Sequence, residues 1–222
     1  VQLCAISGQC PPPLPSPGFV GVFEGDHGVQ AHHVSPWPQE ITYSMGVNLA
    51  GGGASVSVLA RHAGADYRLY NVGGLKELPE GQRIVNCRVA AGTADLSRGP
   101  AMTREQATSA LEIGVRAALD AVDGGARALA PGELGIGNTT PAAALIAAYT
   151  GGSPETVTGR GAGANDDFAQ CIGHLFQHYA QSVATLFAGD GEGHDGFLVT
   201  EGGELARIVA LAEVRNESAG FV

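Results

Sequence analysis

The sequence predicts an α/β fold, a Rossmann-like parallel sheet flanked by helices in three layers, with a small helical appendage. Short apolar runs of strand length alternate with helical stretches, and this strand–loop–helix order recurs along the chain. The 222 residues are 44% hydrophobic, which is enough for one substantial core. We therefore expect a Pro-rich N-terminal segment at residues 1–18 and a single α/β domain at residues 19–222.

The predicted elements follow from apolar periodicity and helix signals. Residues 19–23 and 65–72 are typical of buried parallel strands, and residues 84–89 of a shorter one. An amphipathic helix is predicted from residue 54 to about residue 64, and Thr103 and Glu105 begin another that ends near residue 122. A strand at 126–130 leads into a glycine-rich loop at 132–140, and Pro141 suits the first turn of the next helix. Later elements are predicted at 168–187 (helix), 196–200 (strand) and 204–214 (helix).

The N-terminal segment contains five closely spaced prolines, which predict a stiff, extended chain. It has no basic region followed by an apolar stretch, so we expect no signal peptide. The first residue is Val1 rather than Met, and we expect residues to be missing upstream.

Composition and charge exclude several classes of function. A formal net charge of −10 and few aromatic residues argue against nucleic-acid binding. No apolar run reaches membrane-span length, so no membrane association is expected. The four cysteines form no CxxC pair and have no histidine at zinc-finger spacing, which indicates free thiols in a reducing, cytoplasmic compartment and no metal site.

The loop at residues 132–140 has the spacing of a phosphate-binding loop. Gly132 and Gly137 are separated by four residues as in a Walker A motif, but Asn138 stands where the lysine would be. Without that lysine, nucleoside-triphosphate hydrolysis is not expected. Glycines before a helix N-terminus can still hold one phosphate monoester. The alternative, to which the pattern gives equal weight, is a glycine-rich turn with a threonine cap and no ligand.

Other polar segments give weaker indications. Glu133 would repel a phosphate and is expected to face a basic group. Asp26-His27 follows the first strand, where a structural role is favoured and a substrate-lining role is the alternative. His32-His33 is predicted to be an exposed loop pair, and the acidic stretch at 190–195 a solvated loop, because neither has metal-ligand spacing.

Residues 133–144, ELGIGNTTPAAA, resemble the signature of the nicotinate-nucleotide:dimethylbenzimidazole phosphoribosyltransferase family. Companion motifs occur in the family's order: GDHGV at 25–29, PQEIT at 38–42, NCRVA at 86–90, GPAMT at 99–103 and GRG at 159–161. The resemblance covers roughly residues 19–167. The long signature and the ordered companions make it specific.

The resemblance implies a Rossmann-like homodimer with no metal and no cofactor. It implies transfer of phosphoribose from nicotinate mononucleotide to 5,6-dimethylbenzimidazole, which gives nicotinate and α-ribazole 5′-phosphate for cobalamin biosynthesis. The reaction needs a base for the azole proton and stabilisation of an oxocarbenium-like ribose.

The resemblance also implies roles for individual residues. Glu133 matches a catalytic carboxylate beside the nicotinate and the ribose. The implied phosphate-binding residues are Gly135, Ile136, Gly137, Asn138, Thr139, Gly159, Arg160, Gly161 and Gly163. The implied acceptor pocket consists of Trp37, Met45, Asp26 and His27.

Two family features are absent from the sequence. The Arg-Leu-Gly-Glu-Gly motif that supplies the family's base does not occur, and no lysine follows Lys76 to reach the phosphate. Three interpretations remain open: a fragment, which we favour, a diverged enzyme with another base, or an inactive homologue. The competing functions are a nucleotide- or azole-binding homologue without turnover, and a transferase for another acceptor such as an adenine-like base or a phenol.

Overall fold

A parallel four-stranded sheet forms the centre of the computed structural model, which describes residues 1–150 and 152–159. The strand order is β3-β2-β1-β4, so β1 is paired on both sides. The elements in chain order are α1 (Gln2–Ser7), β1 (Gly18–Gly25), a 3₁₀ helix (Gly28–His32), α2 (Ile41–Ala50), α3 (Ser55–His62), β2 (Asp66–Gly73), β3 (Ile84–Asn86), α4 (Arg104–Asp123), β4 (Ala128–Leu134), α5 (Thr139–Thr150) and α6 (Pro154–Val157). The predicted class, a parallel sheet flanked by helices, is confirmed.

The main core lies on one face of the sheet. Val22 of β1 and Leu69 of β2 lie side by side in register, and Leu49 of α2 and Leu78 pack over them. This burial is expected to be the main favourable contribution to folding. Glu24 lies on the same face of β1, nearer the end of the strand. A buried carboxyl group therefore borders the apolar core at the carboxyl end of the sheet.

The predicted helix at residues 103–122 is confirmed as α4, and its start is set by a capping box. The Thr103 side chain accepts a hydrogen bond from the Gln106 backbone N–H, while the Gln106 side chain accepts one from the Thr103 N–H. Both orphan donors at this helix start are therefore satisfied. The strands predicted at 19–23, 65–72 and 84–89 and the helix predicted from residue 54 to about residue 64 also occur, with shifted ends.

Three local predictions are wrong or incomplete. Helices α1 and α2 were not predicted, and α1 occupies part of the N-terminal segment. Strand β4 begins later than predicted and runs on to Leu134, so Gly132 and Glu133 belong to the strand and not to the loop. Pro131 is tolerated there because β4 is an edge strand among the described residues.

The elements predicted at 168–187, 196–200 and 204–214 lie outside the described residues. Within the described residues, no helix has both the length and the apolar character needed to cross a bilayer. Cys4, Cys10 and Cys87 are free thiols, as predicted, and burial raises the pKa of the Cys87 thiol. Cys171 is not in the described part of the chain.

Candidate active site

The candidate site lies where β1 and β4 end beside each other. The register places Phe23 beside Glu133, and Glu24 beside Leu134. Because the two strands are parallel, the segments that follow them leave the sheet at the same edge. Ligands of α/β sheets bind in crevices outside these carboxyl ends.

Glu133, His27 and Asn138 form the polar centre of this edge. The Glu133 Oε1 atom lies 3.7 Å from His27 Nε2, and the Asn138 side-chain amide donates a hydrogen bond to Glu133 Oε2. The Glu133 side chain is 44% exposed, whereas that of His27 is 15% exposed. The carboxylate therefore faces a basic neighbour on one side, as predicted, and is open to a ligand on the other.

Gly135 permits the close approach of the two strand ends. A Cβ atom at this position would overlap the carbonyl oxygen of Gly25 and would lie 2.8 Å from Glu133 Oε1 and 2.9 Å from His27 Nε2. Only glycine fits between the β1 backbone and these two side chains. The glycine of the signature therefore brings the carboxylate and the imidazole together.

The loop at residues 135–138 is fixed from two directions. Within the loop, the Asn138 N–H donates to the Gly135 carbonyl at 3.1 Å. From outside, the Ile136 N–H donates to the hydroxyl of Thr42, a fully buried side chain near the start of α2. The loop is thus held against α2 before any ligand binds, which lowers the entropic cost of binding.

Buried polar atoms without hydrogen-bond partners concentrate at this edge. Six such side-chain atoms occur in the described residues, and five of them belong to β1, the segment after it, or the start of α5. These five are Glu24 Oε2, Asp26 Oδ1, His27 Nε2, Gln30 Oε1 and Thr140 Oγ1. Because buried polar groups in native proteins are normally hydrogen-bonded, such a concentration indicates a place where a polar ligand completes the network.

Glu24 is the most deeply buried carboxyl group near the site, with 2% of its surface exposed. Burial raises its pKa from 4.5 to about 7, and repulsion from Asp26 adds to the shift. Its carboxyl group occupies the space left by Gly46 on α2, because a Cβ atom there would overlap Glu24 Oε2. Glu24 therefore keeps its proton in the folded protein at pH values where an exposed carboxyl group has lost it.

The predicted acceptor-pocket residues differ in their surroundings. Trp37 is 52% exposed and Met45 is 38% exposed, so both present apolar surface. Asp26 is buried, and its Oδ2 atom accepts a hydrogen bond of 2.8 Å from the Leu75 N–H, which favours the structural interpretation of this residue. His27 lies beside Glu133 and so belongs to the polar centre of the site.

Part of the predicted phosphate site lies outside the described residues. Gly159 is exposed at the end of the described chain, and Arg160, Gly161 and Gly163 follow it. The acidic stretch at 190–195 is also outside. Among residues 1–150 and 152–159, no three His, Cys, Asp or Glu side chains converge as metal ligands would.

The prediction of an exposed His32-His33 pair is wrong for His32. Its Nε2 atom lies 2.7 Å from Asp95 Oδ2 and 3.0 Å from Ser97 Oγ. Burial alone would raise the pKa of Asp95, but hydrogen bonds from Ser97 and His32 lower it below its usual value. These contacts fix the 3₁₀ helix, whose first residue Gly28 also donates to Thr93, so His32 helps to hold His27 in place.

Sequence reasoning assigned no site role to three residues of this edge, namely Glu24, Gln30 and Thr42. Each is polar, buried and next to the loop or the β1 end. The signal for Glu24 was a charged residue inside an otherwise apolar strand. Thr42 and Gln30 carry no such signal, because their role depends on contacts with residues distant in sequence.

Comparisons with known proteins show which family the chain resembles. The phosphoribosyltransferase family DBI_PRT matches residues 1–172, so the similarity begins before residue 19. A nicotinate-nucleotide–dimethylbenzimidazole phosphoribosyltransferase of Salinispora tropica is 46% identical over 180 residues, covering 75% of this chain and 50% of the relative. The enzyme of the same name from Roseiflexus castenholzii is 45% identical over 166 residues, again 75% of this chain and 47% of the relative.

Solved structures give the same relationship. The crystal structure of CobT from Thermus thermophilus superposes with a TM-score of 0.79 at 41% identity, covering 86% of this chain and 56% of that chain. The chain spans about half the length of the curated relatives it matches. With the family match extending over most of its length, the chain belongs to the DBI_PRT phosphoribosyltransferase family.

Proposed function

We propose that this protein transfers phosphoribose from nicotinate mononucleotide to 5,6-dimethylbenzimidazole, giving α-ribazole 5′-phosphate and nicotinate for cobalamin biosynthesis. The observation that carries the proposal is the position of Glu133, which lies at the end of β4, open to solvent, beside His27 and directly before the glycine loop. If the loop holds the phosphate, a carboxylate next to it would lie beside the ribose of the bound nucleotide. Relatives that carry this activity in their names support the same assignment.

In this proposal, the loop holds the phosphate through backbone N–H groups and the helix start. Gly135, Ile136, Gly137, Asn138 and Thr139 form the segment between β4 and α5, and helix N-termini favour anions. The family resemblance assigns Gly159, Arg160, Gly161 and Gly163 to the same phosphate. Trp37 and Met45 offer the exposed apolar surface on which a flat benzimidazole ring can stack.

The chemistry then needs one bond to form and one to break. An azole nitrogen attacks C1′ of the ribose, and the bond from C1′ to the nicotinate nitrogen breaks. Positive charge develops on the ribose, and the Glu133 carboxylate stabilises it. The azole proton must leave to a base, and the Arg-Leu-Gly-Glu-Gly motif that supplies one in the family is not in this sequence.

Two finer features belong to the same proposal. We expect a homodimer, as the family resemblance implies, and size-exclusion chromatography with light scattering would give the mass. We also expect a cytoplasmic location, since the three cysteines of the described residues are free thiols, which suits a reducing compartment.

The direct test incubates the chain with nicotinate mononucleotide and 5,6-dimethylbenzimidazole and measures free nicotinate by chromatography. The expected result is nicotinate release that depends on the benzimidazole, with α-ribazole 5′-phosphate formed in equal amount. Release without the acceptor would indicate hydrolysis instead of transfer. Nucleotide binding with no release would contradict the proposal and favour a binding protein that lacks a base.

A further inference from the structure

Gln30 has a side-chain amide whose orientation is set by its surroundings. Its residue is 7% exposed and lies on the 3₁₀ helix after β1. The Nε2 group donates to the Ser35 carbonyl at 3.2 Å and to the Trp37 carbonyl at 2.9 Å. A flipped amide would place its oxygen against both carbonyl oxygens, which repel it. Both donors are therefore used, and the remaining Oε1 atom can only accept.

The Oε1 atom faces the glycine loop. A Cβ atom added to Gly137 would lie 2.9 Å from this oxygen. The Gln30 oxygen therefore lies directly beside the Gly137 backbone. This oxygen is buried and has no hydrogen-bond partner. A buried acceptor without a partner is costly, so a bound ligand should supply a donor here. A phosphate oxygen cannot do so, because a phosphate dianion only accepts.

We propose that Gln30 Oε1 accepts a hydrogen bond from a hydroxyl group of the bound ribose and so makes the site selective for ribonucleotides. This inference rests on the proposed function. The loop beside Gln30 is the proposed phosphate site, and a ribose is joined to its 5′-phosphate through a single carbon. The ribose hydroxyls are thus the donors of the substrate that lie next to such a loop, whereas the azole N–H belongs to the separate acceptor.

The test measures equilibrium binding of nicotinate mononucleotide and its 2′-deoxy and 3′-deoxy analogues, without acceptor. Trp37 is the only tryptophan of the chain, and its carbonyl is bonded to Gln30, so its fluorescence can report binding. We expect one deoxy analogue to bind about tenfold more weakly than the parent nucleotide, as for loss of one buried hydrogen bond. In Gln30→Met the same analogue should bind as well as the parent.

Gln106→Met is a matched control, because Gln106 also bonds to backbone through its side chain but does so in the cap of α4. It should keep the tenfold preference.

The outcomes separate the two proposals. If the unmodified chain does not bind nicotinate mononucleotide, both the proposed function and this inference fail. If it binds all three nucleotides equally, only the inference about Gln30 fails. If Gln30→Met weakens all three but keeps the preference, Gln30 merely supports the turn from Ser35 to Trp37, and the inference is again wrong.

Discussion

Two glycine-rich turns precede helices in this protein, and they differ in how their polar groups are used. At residues 51–53, before α3, the turn is closed by its own chain. The Gly53 N–H donates to the Asn48 carbonyl, and the Arg61 guanidinium donates to the Gly52 carbonyl, both at 2.9 Å. At residues 135–138, before α5, the neighbouring polar atoms include His27 Nε2 and Gln30 Oε1, neither of which has a hydrogen-bond partner.

The comparison shows what a glycine pattern alone cannot decide. Both turns are rich in glycine and precede a helix, and for the second turn the pattern gives equal weight to a ligand site and to a plain turn. The hydrogen bonds separate them, since one turn satisfies its groups internally and the other borders groups that lack partners. Unsatisfied polar atoms are therefore the more informative sign of a binding site.

The largest effect is expected from Glu133→Gln. The amide keeps an acceptor for Asn138 but loses the negative charge that, in the proposed reaction, would stabilise the ribose cation. We expect kcat for nicotinate release to fall by about a hundredfold, with nucleotide affinity little changed. Steady-state kinetics and equilibrium binding measure the two quantities.

Glu112→Gln is the matched control, because Glu112 is exposed on α4 and should leave both quantities unchanged. Unchanged turnover in Glu133→Gln would remove the catalytic role of this carboxylate and would make the second turn a binding loop only.

Alanine substitutions should separate the two turns. In Gly135→Ala, the new methyl group meets the β1 backbone, and we expect a loss of about 3 kcal/mol in unfolding free energy together with loss of nucleotide binding. Gly52 has φ +87°, and an added methyl group would also displace the Arg61 guanidinium, so Gly52→Ala should cost about 2 kcal/mol without affecting binding. Urea unfolding and fluorescence titration test this. If both substitutions weakened nucleotide binding equally, the two turns would not differ in function.

The buried carboxyl of Glu24 should make stability depend on pH. Its folded-state pKa is raised to about 7, so the folded protein binds more protons than the unfolded chain between pH 4.5 and 7. The resulting stabilisation is complete below pH 4.5 and is lost as the pH rises to 7. Between pH 5 and pH 8, the unfolding free energy of the unmodified chain should fall by about 2 kcal/mol more than that of Glu24→Gln. Parallel pH profiles would show that Glu24 is not protonated in the folded state.

The smallest effect is expected from Thr103→Ala, which removes one half of the α4 capping box. The loss should be about 1 kcal/mol of unfolding free energy, with nucleotide binding unchanged because the cap is not part of the loop. Urea unfolding measures the free energy, and fluorescence titration measures nucleotide binding. A binding defect in this variant would mean that stability alone controls affinity, and the other binding results would then need correction for it.

Much of the sheet was predictable because each strand is a short apolar run followed by polar residues. Helix α2 was not, since its buried face consists largely of Thr42 and Gly46 and so lacks a helical apolar pattern. The end of β4 was missed because Pro131 and Gly132 usually interrupt strands. Glu133 and the loop glycines were found through a motif, but their contacts with His27 and Gln30 depend on strand register, which no local pattern contains.

The position of β1 between β2 and β4 has a consequence for the order of folding. Its pairing with β2 joins Phe19 to Asp66, whereas its pairing with β4 joins Gly18 to Ala128 across a much longer stretch of chain. Closing the longer loop costs more conformational entropy and slows the contact. During synthesis, β1 and β2 can pair before β4 has left the ribosome. We therefore expect the imidazole and the carboxylate of the site to meet only in the last stage of sheet assembly.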